Sequence, residues 1–188
     1  MKHSTPPGDP VQLKLLLSRE QIAHRVGEMA SEISRDFAGE SVILVGVLKG
    51  ASVFLSDLAR QITLDATFDF ISVASYGDGT RSTGEVRLNK DVDSSLAGRN
   101  VIMVEDILDT GLTMTFLRKL FLARQPRALK IAVLLDKTSR RLVPVHPDYI
   151  GFSVGNEFVV GYGMDFGERY RNLPDIRLLP EELIPQDH

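Results

Sequence analysis

The residues with the most chemical content stand together in the segment Glu105-Asp106-Ile107-Leu108-Asp109-Thr110-Gly111-Leu112-Thr113, directly after the apolar run Val101 to Val104. That order predicts a buried strand ending in two acids, a short Asp-Thr-Gly-x-Thr loop, and the start of a helix. At the carboxyl end of a parallel strand, free loop N–H groups and the positive end of the next helix aim at one spot and favour an anion such as a monophosphate. Thr110 and Thr113 add hydroxyl donors, and Gly111 lets the backbone come close. A hydrogen bond to a charged group contributes roughly 1.5–3 kcal/mol, so several converging donors hold a phosphate without any lysine. Two carboxylates beside such a site repel its ligand unless they face hydroxyls or a cation, so Glu105 and Asp106 suggest ribose hydroxyls and Mg²⁺. The plain alternative is that these are turn acids capping a helix, since Asp and Thr are preferred caps. The complete order of strand, acids, loop and helix argues against it.

The elements that must position this loop are legible around it. Ser18-Arg19-Glu20-Gln21 has the capping-box form, and Ile22, Val26, Met29, Ile33 and Phe37 recur at helical spacing. Ser41 to Leu48 is a nearly continuous aliphatic run, as expected of a central strand covered on both faces. A turn at Lys49 and Gly50 leads into a helix over 51–60, then a strand over 67–75. Tyr76 to Gly84 holds three glycines and no apolar run, which predicts a mobile lid-like loop followed by a short strand near Glu85 to Asn89. Strands at Asn100 to Val104 and Leu129 to Leu135 flank a helix from Thr113 to Arg124, stopped before Pro126. Strands alternating with helices argue for an α/β fold with a parallel-rich central sheet flanked by helices. The less regular last third, around Tyr149 to Phe152 and Phe158 to Gly161, suits a hood or an antiparallel extension.

Composition narrows the possibilities. At 188 residues and 43% hydrophobic content the chain builds one core, so residues 1–188 read as a single domain. Met1 to Pro10 is polar, Pro-rich and expected to be flexible, and it lacks a signal pattern. No run reaches membrane-spanning length, so a cytoplasmic location and no membrane partner are expected. There is no cysteine, which excludes disulfides, thiolate nucleophiles and Cys-ligated metals. His3, His24, His146 and His188 lack ligand spacing. A net charge of −3 argues against a broad basic surface for nucleic acid.

The loop and its surroundings resemble the phosphoribosyl-pyrophosphate signature of type I phosphoribosyltransferases. Further stretches resemble the hypoxanthine-guanine branch of that family: Leu48-Lys49-Gly50, Ser75-Tyr76, the Lys137 region, Phe158-Val159-Val160-Gly161-Tyr162, and Asp165 to Arg171. The likeness runs from about Gln12 onward. It implies the type I phosphoribosyltransferase fold, with a small hood from the chain ends, and substrates that are phosphoribosyl pyrophosphate and a 6-oxopurine. It implies that Asp109, Thr110, Gly111, Leu112 and Thr113 hold the 5-phosphate, that Glu105 and Asp106 face the ribose hydroxyls, and that Asp109 is the general base. Some relatives carry lysine where this chain has Leu112, a departure of little weight for a loop that works through backbone amides. Lys49 and Gly50 would lie at the pyrophosphate with help from Arg171, and the Leu48–Lys49 peptide would be cis. Ser75 and Tyr76 would belong to the closing loop. Asp165 would bind a second Mg²⁺, giving Glu105, Asp106 and Asp165 as the metal-facing acids. Lys137 would donate to the purine 6-oxo group, Phe158 would stack on the ring, and the Val159 backbone would read the base edge. A homodimer or homotetramer is implied as well.

Taken singly, several of these residues have ordinary explanations. Lys49 reads as a solvated turn residue, Lys137 as part of a surface charge cluster, and Phe158 as a core aromatic. Arg140 and Arg141 read as solvated. Two other functions remain open at this level: a phosphoribosyltransferase-fold regulator that binds RNA, and an enzyme preferring xanthine or another base. The lack of a Lys/Arg stripe counts against the first, and Lys137 with Phe158-Val159-Val160 favours a 6-oxopurine for the second.

Overall fold

The computed structural model describes residues 13–75 and 86–184. The N-terminal stretch, Tyr76 and the Gly-rich loop expected to act as a lid lie outside the described residues.

The main sheet has six strands in the order β4-β3-β2-β5-β6-β7. They are β2 (Val42–Leu48), β3 (Ala66–Ser75), β4 (Val86–Lys90), β5 (Asn100–Leu108), β6 (Ala128–Asp136) and β7 (Tyr149–Ser153). All neighbours pair in parallel except β4, which runs antiparallel along β3. Strand β2 lies between β3 and β5, which explains its unbroken aliphatic run: a strand covered on both faces has no solvent side on which to alternate.

Helices cover the two faces separately. Val42 and Leu44 of β2 pack with Ile102 and Val104 of β5 under α1 (Arg19–Asp36) and α2 (Ser52–Gln61). The intervening Ile43, Val45 and Val47 pack with Val101 and Met103 under α3 (Leu112–Leu122). This is the two-residue period of a strand, and each fully buried aliphatic side chain contributes about 1.5–3 kcal/mol of transfer free energy. Helix α1 begins as its residues require. Ser18 Oγ accepts from the Gln21 N–H at 3.3 Å, and the Gln21 side chain returns the bond to Ser18 N–H at 2.8 Å.

A second, three-stranded sheet in the order β1-β9-β8 forms the hood. Strand β1 (Lys14–Leu17) comes from one end of the chain, and β8 (Val159–Val160) and β9 (Ile176–Leu178) from the other. Both pairings are antiparallel. No helix among the described residues is long and apolar enough to cross a membrane.

Two expectations need correction. The acid-bearing strand does not stop at Val104. Pairing with β6 continues through Glu105↔Val133, Ile107↔Leu135 and Leu108↔Asp136, so Glu105 and Asp106 are followed by two more strand residues and sit inside the sheet. Arg140 and Arg141 are also not simply solvated. Arg141 is 12% exposed and paired with Asp136, and Arg140 reaches Asp109. The turn after β6 folds back against the end of β5, and no local pattern in the turn itself encodes that contact.

Candidate active site

The Asp109-Thr110-Gly111 loop links the end of β5 to α3. Gly111 is the N-cap residue of α3 at φ +85°, with no side chain capping the helix. The first-turn N–H groups are therefore left to the loop hydroxyl and to any anion that docks there. Among the described residues only a long contact, Leu112 N–H to Thr110 Oγ1 at 3.5 Å, engages them from a side chain. Gly111 is needed on two counts. Its φ is left-handed, and a Cβ there would lie 2.7 Å from Val145 Cγ1 and 2.9 Å from Arg141 Cδ.

A cleft of about 960 Å³ opens beside this loop and brings together Asp106, Asp109, Lys137, Phe158, Val159 and Asp165. Its size suits a nucleotide-sized ligand. Lys137 is 4% exposed, and its Nζ donates to the Glu157 carbonyl at 2.8 Å. Burial pushes its pKa down, against the pull of the nearby Asp109. Phe158 makes an edge contact with Phe166, ring centroids 5.6 Å apart. Val159 is held in the hood sheet opposite Leu178. Asp109 points one carboxylate oxygen, Oδ1, into a buried position 2.9 Å from Arg140 Nε, yet that oxygen accepts no hydrogen bond of proper geometry from the described residues.

Gly50 joins the site through close packing. A Cβ at Gly50 would fall 1.9 Å from Asp106 Oδ2, and one at Gly163 would fall 2.2 Å from the Gly50 carbonyl. The Leu48–Lys49 peptide is cis, as the family likeness implied. Lys49 itself points outward, its Nζ 2.8 Å from Glu168 Oε2. Arg171 bonds the Gly163 carbonyl at 2.8 Å and pairs with Asp165 at 2.8 Å, while its buried Nε has no partner among the described residues. Asp165 also accepts from the Glu168 N–H at 2.8 Å. Thr110 to Thr113, Lys49 and Arg171 do not line the cleft itself. Ser75 ends β3 opposite Val86, and Tyr76 lies outside the described residues.

Glu105 and Asp106 form the electrostatic centre. Burial raises the Glu105 pKa well above the usual carboxylate range, reinforced by the Asp106 charge, and burial raises Asp106 as well. Neither forms an ion pair with lysine or arginine among the described residues. No three His, Cys, Asp or Glu side chains converge on one point among these residues. That donor set fits Mg²⁺, which is held through one or two carboxylates and completes its shell with water and substrate oxygens. Asp165 is already engaged by Arg171, so any cation there shares it.

Sequence reasoning missed Arg140, Arg141, the Glu157 carbonyl, Glu168 and Gly163. Arg140, Arg141 and the Glu157 carbonyl reach the site across the fold, whereas Glu168 and Gly163 stand in or beside family-like stretches that assigned them no role.

A strand-loop-helix junction with uncapped N–H groups, beside a cleft roofed by an aromatic hood, defines an α/β protein suited to a phosphorylated ligand. The family model described as the phosphoribosyl transferase domain matches residues 13–167, and the chain belongs to this family. It is similar to the hypoxanthine-guanine phosphoribosyltransferase of Streptococcus thermophilus, 45% identical over 170 residues that cover 90% of this chain and 94% of that one. Among solved structures it resembles a hypoxanthine-guanine phosphoribosyltransferase from Bacillus anthracis, at TM-score 0.86 and 49% identity over 90% of this chain and 100% of that one. A hypoxanthine phosphoribosyltransferase from Staphylococcus aureus superposes with TM-score 0.89 at 40% identity, covering 94% and 96%.

Proposed function

We propose that this chain is a single-domain purine-salvage enzyme that moves the 5-phosphoribosyl group of phosphoribosyl pyrophosphate onto hypoxanthine or guanine. The products are IMP or GMP and pyrophosphate. The observation that carries this reading is the meeting of Asp109, buried Lys137 and Phe158 in one cleft beside the uncapped start of α3.

In this reading the 5-phosphate sits against the N–H groups of residues 110–113, and the ribose hydroxyls face Glu105 and Asp106. The bond from the anomeric carbon to the pyrophosphate oxygen breaks and a bond to the purine nitrogen forms. The Asp109 carboxylate takes the proton the purine gives up, help commonly worth ~10²–10⁴-fold. Lys137 donates to the 6-oxo group, Phe158 stacks on the ring, and the Val159 backbone reads its edge. Gly50, the Lys49 backbone and Arg171 serve the pyrophosphate end. Glu105 and Asp106, and Asp165 in a second position, would hold Mg²⁺, which would supply charge neutralisation for the leaving group. The positive charge that grows on the ribose ring is met by the same acids. Ser75 and Tyr76 belong to a loop that closes over the reacting centre and keeps water out. The reading includes a cytoplasmic homodimer or homotetramer that engages neither nucleic acid nor membrane.

A spectrophotometric assay with Mg²⁺, phosphoribosyl pyrophosphate and each of hypoxanthine, guanine, xanthine and adenine tests it. Turnover with hypoxanthine or guanine and little with adenine is expected. No nucleotide from any 6-oxopurine sinks the proposal, and a marked preference for xanthine revises the substrate.

A further inference from the structure

We infer that Arg141 is a positioning residue: its guanidinium grips the phosphate loop from behind and turns the loop's N–H groups toward the ligand phosphate. This rests on the reading of residues 109–113 as the 5-phosphate site.

Three of its contacts are to backbone carbonyls. Arg141 Nε donates to the Asp109 carbonyl at 3.0 Å, one terminal nitrogen donates to the Val145 carbonyl at 2.6 Å, and the other reaches the Leu108 carbonyl at 3.4 Å. The last nitrogen also pairs with Asp136, itself 6% exposed. The residues that follow extend the grip, because the Leu142 and Val143 N–H groups both point at the Thr110 carbonyl, at 2.9 and 3.4 Å. Leu108 is further held by the Lys137 N–H at 3.0 Å. Three successive carbonyls, of Leu108, Asp109 and Thr110, are thus drawn to one side by the 137–145 segment.

A trans peptide is planar, with its N–H pointing opposite to its C=O. Holding the Asp109 and Thr110 carbonyls on the rear side therefore turns the Thr110 and Gly111 N–H groups to the other side. Neither N–H donates to an acceptor among the described residues. The same segment imposes the glycine: Arg141, Val143 and Val145 occupy the space a side chain at position 111 would need. Arg141 does not line the cleft, whereas its neighbour Arg140 does. The two adjacent arginines have separated tasks, one facing the reacting groups and one behind the loop.

The guanidinium is the side chain suited to this task. Its planar fork presents five donors in fixed directions, while a lysine offers one compact charge on a flexible stem. A core ion pair between Arg141 and Asp136 would affect overall stability and every ligand alike. A loop clamp affects the 5-phosphate and leaves the far end of the site alone.

The test uses the full-length enzyme and the variants Arg141→Met and Arg141→Lys, with ribose 5-phosphate and pyrophosphate titrated separately by calorimetry and melting temperature recorded for each. Arg141→Met is expected to weaken ribose 5-phosphate about tenfold or more, with pyrophosphate affinity held within about twofold and KM for phosphoribosyl pyrophosphate raised more than kcat is lowered. Arg141→Lys is expected to fall between the variant and wild type in ribose 5-phosphate affinity while melting near wild type. Equal loss of both ligands, or loss of neither, overturns the clamp. Should Arg141→Met fail to fold, unchanged ribose 5-phosphate binding in Arg141→Lys overturns it on its own. A wild-type protein that binds pyrophosphate but not ribose 5-phosphate refutes the phosphate-site reading instead, and the clamp falls with it.

Discussion

Acids on β3 and β5 are treated in opposite ways. Asp69 on β3, 8% exposed, accepts N–H bonds from Phe70 at 2.7 Å, Asp93 at 2.8 Å and Ser94 at 2.9 Å, with Lys90 at 3.8 Å. Burial works against its charge, but these backbone donors outweigh it and hold the carboxyl below the usual range. Glu105 and Asp106 on β5 lie side by side, and although the Asp106 and Ile107 backbone N–H groups favour charge there, burial outweighs them and drives both pKa values up. A buried charge that is fully solvated by the protein is a structural part. Adjacent acids whose charge burial disfavours are costly to the fold, and such a cost is common where a ligand or cation binds.

Neutralising acids one at a time breaks or sharpens this contrast. The largest effect belongs to Asp109→Asn, which keeps the loop's shape but cannot take a proton: turnover is expected to fall ~10²–10⁴-fold with phosphoribosyl pyrophosphate binding little changed. Near-wild-type kcat in stopped-flow or steady-state assays removes Asp109 as the base. Next is Asp106→Asn. It is expected to lower kcat/KM on the order of a hundredfold while the melting temperature holds or rises, because a repulsive buried charge is gone. A variant that melts several degrees lower would show Asp106 to be a structural acid like Asp69.

Asp69→Asn is expected to do the reverse, costing about 1–3 kcal/mol of stability at neutral pH with kcat unchanged. Its pH dependence has a definite sign. The folded-state pKa is depressed, so the Asp69 contribution is fully present above its ordinary value of 3.8 and is lost as pH falls through the lower folded value. Denaturation curves of wild type and variant should therefore run parallel above about pH 5 and converge in acid. Parallel curves down to pH 2 would show that the backbone donors do not stabilise the charge.

The smallest effect is expected from Tyr162→Phe. The Tyr162 hydroxyl donates to Asp57 Oδ2 at 2.7 Å, tying the turn that packs on Gly50 to helix α2. Burial first, and then Asp57, push the phenol above its ordinary pKa of 10.0, so it remains a donor across neutral pH. Its loss should cost about 1 kcal/mol in urea unfolding and leave kcat intact. A large drop in turnover would move Tyr162 from the scaffold into the site.

What the sequence determined by itself is what contiguous residues decide. The capping box at Ser18, the helical spacing from Ile22 to Phe37, the doubly buried strand ending at Leu48 and the Asp-Thr-Gly loop with its helix all depend on backbone periods and on neighbours a few residues away. Family likeness extended that to Lys137, Phe158 and Asp165, which the fold does gather into one cleft. Tertiary structure alone decided the rest. Leu13 meets the Arg177 side chain across the length of the chain, and β1 finds β9, so that the two ends of the described chain build one hood. Asp69 finds its donors on a turn more than twenty residues away. The end of β5 acquires Arg140 and Arg141 only because β6 lies beside it. Local periodicity carries no information about which distant backbone groups a side chain will meet. That is settled by strand order and register, and through them by the packing of α1, α2 and α3 on the two faces of the sheet.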